Sequence, residues 1–385
     1  MNPNINKLGV IAQKKERSII GLMSGTSLDG LDVAWCKIKG CSKNTELRTV
    51  NFQYYPYTDQ QKKLLRDLCF CENVSLSSLS WANRLVAEWH AYFVIKFLKE
   101  HDIPSEEVDL LASHGQTIYH HFSELRQEED HTLQIGDGDI LACRTDIITL
   151  SDFRQKNIAS GGQGAPLAPY GECLLIKSST PTVLLNIGGI ANFSYFKGGF
   201  VVASDSGPGN CLSDALVRKY FPGQYFDHNG EYAAVGKVNI DLLESLKKHP
   251  FFKKSIPKST GPEEFNTHWW ETILSKYEHL SVIDQISTVN QLTADSVVEE
   301  ITKLVESQFD LYISGGGKHN ATLVNRILEK LPQANYIQED FAGIPSDAKE
   351  AVIFALLANE SICGPSWKEL GFDHHLSMGK ISFPD

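Results

Sequence analysis

Three glycine-rich turns, each closing an apolar run, hold the residues best suited to handling phosphate. The first runs Gly21-Leu22-Met23-Ser24-Gly25-Thr26-Ser27-Leu28-Asp29-Gly30-Leu31-Asp32. Its small residues let backbone N–H groups crowd around an anion, because glycine has no Cβ to block the approach. Asp29 and Asp32 would repel bare phosphate, so they suit a Mg²⁺ ion or an orienting role, and Asp29 is the expected metal ligand. The lysine of a P-loop is absent and a strand follows instead of a helix, which leaves a plain hairpin turn open as the alternative. The second turn, Asp205-Ser206-Gly207-Pro208-Gly209-Asn210, sets a carboxylate at a strand end just before a helical run. That carboxylate could serve as a base, while a helix N-terminus favours an anion. The third, Ser314-Gly315-Gly316-Gly317, offers bare backbone on which a flat ring such as adenine could lie, or else a flexible linker.

These turns need elements that hold them. Ser18-Ile19-Ile20 leads into the first turn and Val33-Ala34-Trp35-Cys36-Lys37-Ile38 reads as a returning strand, so a β-hairpin is expected. Leu212 to Val217 and Ala321 to Leu331 have helical periodicity after the second and third turns. Longer helices are expected through Leu85–Phe97, Leu292–Val305 and Asp347–Leu357. Strands alternating with helices in both halves predict an α/β protein. A length of 385 residues predicts two domains. The net charge of −11, from 36 basic and 47 acidic residues, argues against a broad nucleic-acid surface. No apolar run approaches the roughly 20 residues of a membrane span. Residues 1–18 read as a loose arm before the first strand. The eight cysteines lack zinc spacing and read as free thiols of a cytoplasmic protein.

The turns and several further segments together resemble the anhydro-N-acetylmuramic acid kinase family, within the superfamily of sugar kinases, actin and heat-shock chaperone ATPases. Besides the three turns, the matching segments are Ser113-His114-Gly115-Gln116-Thr117, Gln134-Ile135-Gly136-Asp137-Gly138, Asp152-Phe153-Arg154, Gly164-Ala165-Pro166-Leu167, Asn186-Ile187-Gly188-Gly189-Ile190-Ala191-Asn192 and Asp347-Ala348-Lys349-Glu350-Ala351. The likeness runs from about Ile19 to about Ala358. Ser206 stands where members often have Thr, which keeps the hydroxyl.

The resemblance implies two facing ribonuclease-H-like domains with a cleft between them. The expected boundaries are 1–150, completed by about 359–385, and 151–358. It implies a reaction in which water opens the 1,6-anhydro bridge of an amino sugar while ATP phosphorylates the freed 6-oxygen. Asp205 matches the general base. Gly25, Thr26, Ser27, Leu28, Asp29, Gly30, Leu31 and Asp32 match the nucleotide-binding stretch, joined by Gly207, Gly209, Asn210, Gly315, Gly316 and Gly317. Thr117, Arg154 and Glu350 match positions expected to contact the sugar. Arg154 would suit the lactyl carboxylate of the muramic substrate; a surface arginine is the alternative. Glu350 could instead serve its helix N-terminus, and His114 could be a buried structural histidine. ATP and Mg²⁺ are the expected cofactors, small molecules the partners, and a homodimer stays open. Two rival functions are a conventional hydroxyl-directed sugar kinase and a nucleotide-switched binding protein; ATP turnover without sugar separates them.

Overall fold

The computed structural model describes residues 2–71, 73–121, 130–260, 264, 265, 267–364 and 377–384. The chain divides into two compact units, residues 1–177 with 347–385, and residues 178–346. In the first unit the strands are β1 (Glu16–Ser24), β2 (Gly30–Lys39), β3 (Glu46–Pro56), β4 (Leu110–His121), β5 (His131–Ile135) and β6 (Thr149–Ser151). The second unit has β7 (Thr182–Ile187), β8 (Ile190–Lys197), β9 (Phe200–Pro208), β10 (Phe309–Ser314) and β11 (Ala334–Ile337), and β12 (Lys380–Ser382) returns to the first.

The two sheets share one plan. In the first the order is β12-β6-β4-β1-β2-β3, with β5 also paired to β4. β1, β2 and β3 form an antiparallel meander, and β4 and β6 then add in parallel beside β1. The second sheet, β11-β10-β7-β8-β9, repeats this: an antiparallel meander β7-β8-β9, with β10 and β11 parallel beside β7. That is the ribonuclease-H-like arrangement, and the α/β class follows from it.

β1 is the central strand of its sheet, and every residue from Arg17 to Ser24 is buried, as expected where both faces are covered. Helix Lys349–Cys363 packs on β1, β2 and β4, and its run Ala351 to Glu360 is buried without a break. Helix Leu76–Glu100 contributes Val86, Phe93, Val94 and Phe97 to a core with Ile20, Leu22, Leu31 and Leu111. Each such side chain contributes about 1.5–3 kcal/mol on burial. In the second unit helix Val282–Thr302 is buried on more than one face. Val297 and Ile301 meet the sheet residues Val183, Leu185 and Leu311, while Ile286, Val289 and Leu292 meet a second layer of helices.

Three expectations are corrected. A boundary at 150 cuts through β6, which pairs with β4 on one side and β12 on the other; the division lies at 177/178. A boundary at 358 cuts helix Lys349–Cys363, which belongs wholly to the first unit. The expected loose arm is a helix, Pro3–Gln13. Asn2 caps it by accepting from the Asn4 amide at 2.8 Å, Pro3 suits its first turn, and Ile11 is buried.

Candidate active site

The first glycine turn sits between β1 and β2 in the expected hairpin, with Met23 opposite Asp32. Beneath it lies a polar network. Ser24 Oγ is 2.6 Å from Gln116 Oε1 and 2.9 Å from Tyr57 OH, and Gln116 Nε2 donates to the Gly25 carbonyl at 3.2 Å. The turn is closed by the Leu28 amide donating to Gly25 O at 3.3 Å. Thr26 and Ser27 are exposed, and among the described residues their amides donate to no protein acceptor. They are therefore free for phosphate oxygens. Leu28 and Leu31 differ from the expectation: both side chains lie in the hydrophobic core, so only their backbone could meet a nucleotide. Asp29 is exposed and its Oδ1 accepts from Ser27 Oγ at 2.8 Å.

Carboxylates gather around this hairpin. Burial raises the Asp32 pKa to about 7, with the charges of Glu350, Asp29 and Asp347 adding to the rise. Glu350, in the first turn of helix Lys349–Cys363, is reached by water yet crowded by protein. Loss of hydration raises its pKa, while Lys349 and Arg154 lower it. Arg154 opens helix Arg154–Ala159, and burial lowers its pKa to about 10. Its Nε donates to His114 Nε2 at 3.0 Å and its Nη1 to the Gly164 carbonyl at 3.3 Å. His114 is buried, with Nδ1 2.9 Å from the Gly115 carbonyl and its ring 4.8 Å from Phe354. Burial holds it well below the usual imidazole range, so it is neutral, with the proton on Nδ1 and Nε2 left to accept from Arg154. Arg154 is thus held by two neutral acceptors and keeps its charge, and among the described residues its Nη2 donates to no acceptor. It is no loose surface arginine. Thr117 is the expected contact that stays enclosed: its side chain is buried on β4 and its Oγ1 accepts from Gln134 Nε2 at 3.3 Å.

In the second unit the remaining turns meet the β7–β8 corner. The amides of Gly209, Asn210 and Cys211 donate to the carbonyls of Gly189, Gly188 and Gly189 at 2.8, 2.8 and 3.2 Å. These donors, expected to face an anion, are already engaged. Gly207 is buried on β9, where an added Cβ would come within 3.0 Å of Phe252. Gly315 and Gly317 press against the same corner; a Cβ would lie 2.7 Å from Asn186 Oδ1 at Gly315 and 2.3 Å from Ile187 at Gly317. Only Gly316, exposed and with its nearest neighbour at 3.8 Å, leaves a bare face outward. The third turn is therefore a packed corner, not a linker.

Asp205 lies on the edge strand β9, opposite Asn192 at a bulge. Burial raises its pKa to about 6, against hydrogen bonds from the Thr260 amide at 2.7 Å and Ser259 Oγ at 3.3 Å, both to Oδ2. Among the described residues no cationic side chain pairs with it. Residues 258–260 were missed in the sequence, where Pro257-Lys258-Ser259-Thr260-Gly261-Pro262 reads only as a turn.

The model of the anhydro-N-acetylmuramic acid kinase family matches residues 17–371. The anhydro-N-acetylmuramic acid kinase of Pseudoalteromonas atlantica is 42% identical, covering 100% of both chains. That of Caldanaerobacter subterraneus is 40% identical over 98% of this chain and 100% of its own. That of Bacillus cereus is 36% identical over 95% of this chain and 99% of its own.

Proposed function

The chain belongs to the anhydro-N-acetylmuramic acid kinase family, and from that premise we propose how its own residues carry out the ATP-dependent reaction. The substrate is 1,6-anhydro-N-acetylmuramic acid, whose 6-oxygen is tied in the bridge and carries no proton. No base can activate that oxygen directly. We take Asp205 to remove a proton from water as the water oxygen bonds to the anomeric carbon. The bond from that carbon to the 6-oxygen breaks, and the 6-oxygen takes the γ-phosphoryl group. N-acetylmuramic acid 6-phosphate and ADP leave. The observation that carries this reading is a carboxylate on the edge strand β9 gripped through Oδ2 by neutral donors, while among the described residues no group donates to Oδ1. Burial keeps the proton affinity of a base so held above that of an ordinary carboxylate, although the two donors lower it. The ordinary hydroxyl-directed kinase is not favoured, because such a reaction does not match the family.

Arg154, with Nη2 free, is the reader of the lactyl carboxylate, and Glu350 stands beside it as a hydroxyl acceptor. The open amides of Thr26 and Ser27 suit phosphate oxygens. Mg²⁺ fits the hard oxygen donors here. Among the described residues no three such groups gather closely enough to hold an ion unaided, which suits an ion bound by one or two carboxylates plus phosphates. Asp29 would hold it, and when bound it neutralises charge on the transferring group. We take the enzyme to act in the cytoplasm, where ATP is at hand.

Asp205→Asn should lower turnover roughly 10²–10⁴-fold while ATP binding persists. In ¹⁸O-labelled water, quenched before anomeric exchange, the product should carry label at the anomeric hydroxyl and none in the phosphate ester. Since the base must be ionised, kcat/KM should fall as pH drops through about 6. Label in the phosphate, or normal turnover by Asp205→Asn, would remove this mechanism.

A further inference from the structure

Residues 258–260 form a short strap beside Asp205, and their contacts reach from the protein core to the carboxylate. The strap joins the edge of β9 through the backbone. The Asp205 amide donates to Lys258 O at 2.9 Å, and the Lys258 amide donates to Ser204 Oγ at 3.0 Å. Ser204 Oγ in turn donates to Lys258 O at 3.2 Å. One and two residues further on, Ser259 Oγ and the Thr260 amide both donate to Asp205 Oδ2. The other end is anchored inside. Lys258 Nζ lies 2.7 Å from Glu300 Oε1, donates to the Phe251 carbonyl at 3.3 Å, and sits 4.4 Å from the Phe251 ring centroid. The Lys258 and Glu300 side chains are 1% and 3% exposed, and Lys303 Nζ takes the second Glu300 oxygen at 2.8 Å.

A buried ion pair is a poor source of stability, because desolvation of both charges offsets most of their attraction. It is an effective fixed point, because separating the charges inside the protein is costly. Here that fixed point belongs to the same residue whose carbonyl holds the Asp205 amide. We propose that residues 258–260, anchored by the Lys258–Glu300 pair, are the positioning element of Asp205, gripping Oδ2 so that Oδ1 alone faces the proton. The inference rests on Asp205 being the base of the proposed reaction. The charge of Lys258 is turned to Glu300. The nearby Glu264 accepts from Thr260 Oγ1 at 2.7 Å and pairs with Lys254 at 3.7 Å. The strap therefore orients the carboxylate without neutralising it.

Three variants test this. Ser259→Ala removes one donor from an exposed side chain, so folding and both KM values should hold. The lost bond had lowered the Asp205 pKa, so the acid limb of kcat/KM should move up by roughly half a pH unit. Lys258→Met with Glu300→Leu removes both buried charges together, a change that buried pairs often tolerate. The double variant should melt cooperatively, keep its ATP affinity, lose roughly tenfold or more in kcat, and shift the acid limb further upward. Wild-type pH profiles and kcat in both would overturn the strap. Asp205→Asn, run alongside, separates the two claims: if it is inactive while the strap variants behave as wild type, only the strap falls. If Asp205→Asn is active, the base assignment falls as well.

Discussion

Asp32 meets the hairpin of the first turn with three other carboxylates in its field, and that crowding has a measurable consequence. Its folded pKa is about 7 against an ordinary value of 3.8. A raised folded pKa means the native state favours the protonated carboxyl. The contribution is full below the ordinary value and is lost as pH rises toward about 7. Above pH 7 the native protein carries an ionised Asp32 facing Glu350, Asp29 and Asp347. Asp32→Asn removes that burden at high pH and changes little in acid. With nucleotide and divalent ions absent, the melting temperature of the variant minus that of the wild type should rise from pH 4 to 7 and then level off. A pH-independent difference would mean that Asp32 is not held in that field. None of this was visible in the sequence, where Asp32 is only the last residue of a motif and its neighbours at 347 and 350 lie in another segment.

The elements explain which glycines belong to the fold and which to the site. At Gly21, on β1, an added Cβ would sit 1.8 Å from the Ala351 carbonyl, because helix Lys349–Cys363 lies directly on the strand. At Gly25, four residues on, the nearest atom would be Ser27 Oγ at 3.6 Å, an ordinary contact. Gly21→Ala must push strand and helix apart and should cost roughly 1–3 kcal/mol or more, read as a lower melting temperature. Gly25→Ala should melt like the wild type but raise KM for ATP several-fold, since a methyl group would stand beside the open amides of Thr26 and Ser27. A stable Gly21→Ala, or a Gly25→Ala with wild-type KM, would reverse this assignment. The hairpin and the helices after the second and third turns were legible, because local periodicity and turn residues encode them; Asp205, expected at a strand end, lies within β9, which runs on to Pro208. The engaged amides of residues 209–211 and the corner under Gly317 were not. They depend on Gly188 and Gly189 of the β7–β8 turn, which stand 20 to 22 residues before the amides they accept from and over 120 before the third glycine turn.

At the scale of the molecule, the two units differ in how the chain builds them. The second, residues 178–346, is continuous. It holds a complete five-stranded sheet, the buried helix Val282–Thr302 and two hydrophobic clusters drawn wholly from its own residues. The first unit is assembled from both ends of the sequence. Its central strand β1 is covered by helix Lys349–Cys363, and its strand β6 is paired by β12, both supplied after the second unit ends. A reading along the sequence detects strands but not which distant segment completes them, so the expected boundaries at 150 and 358 fell inside elements. The same asymmetry predicts how fragments behave. Residues 178–346 expressed alone should melt cooperatively, because no element of their core is missing. Residues 1–177 alone would expose the apolar surface that Ala351 to Ala358 cover, and should aggregate or stay unfolded. Joining 1–177 to 347–385 through a short Gly/Ser linker should restore a cooperative transition, with β1 again buried on both faces. Circular dichroism melts of the three fragments decide the matter: a cooperative melt from 1–177 alone, or none from 178–346, would show that the units do not fold as this chain architecture requires.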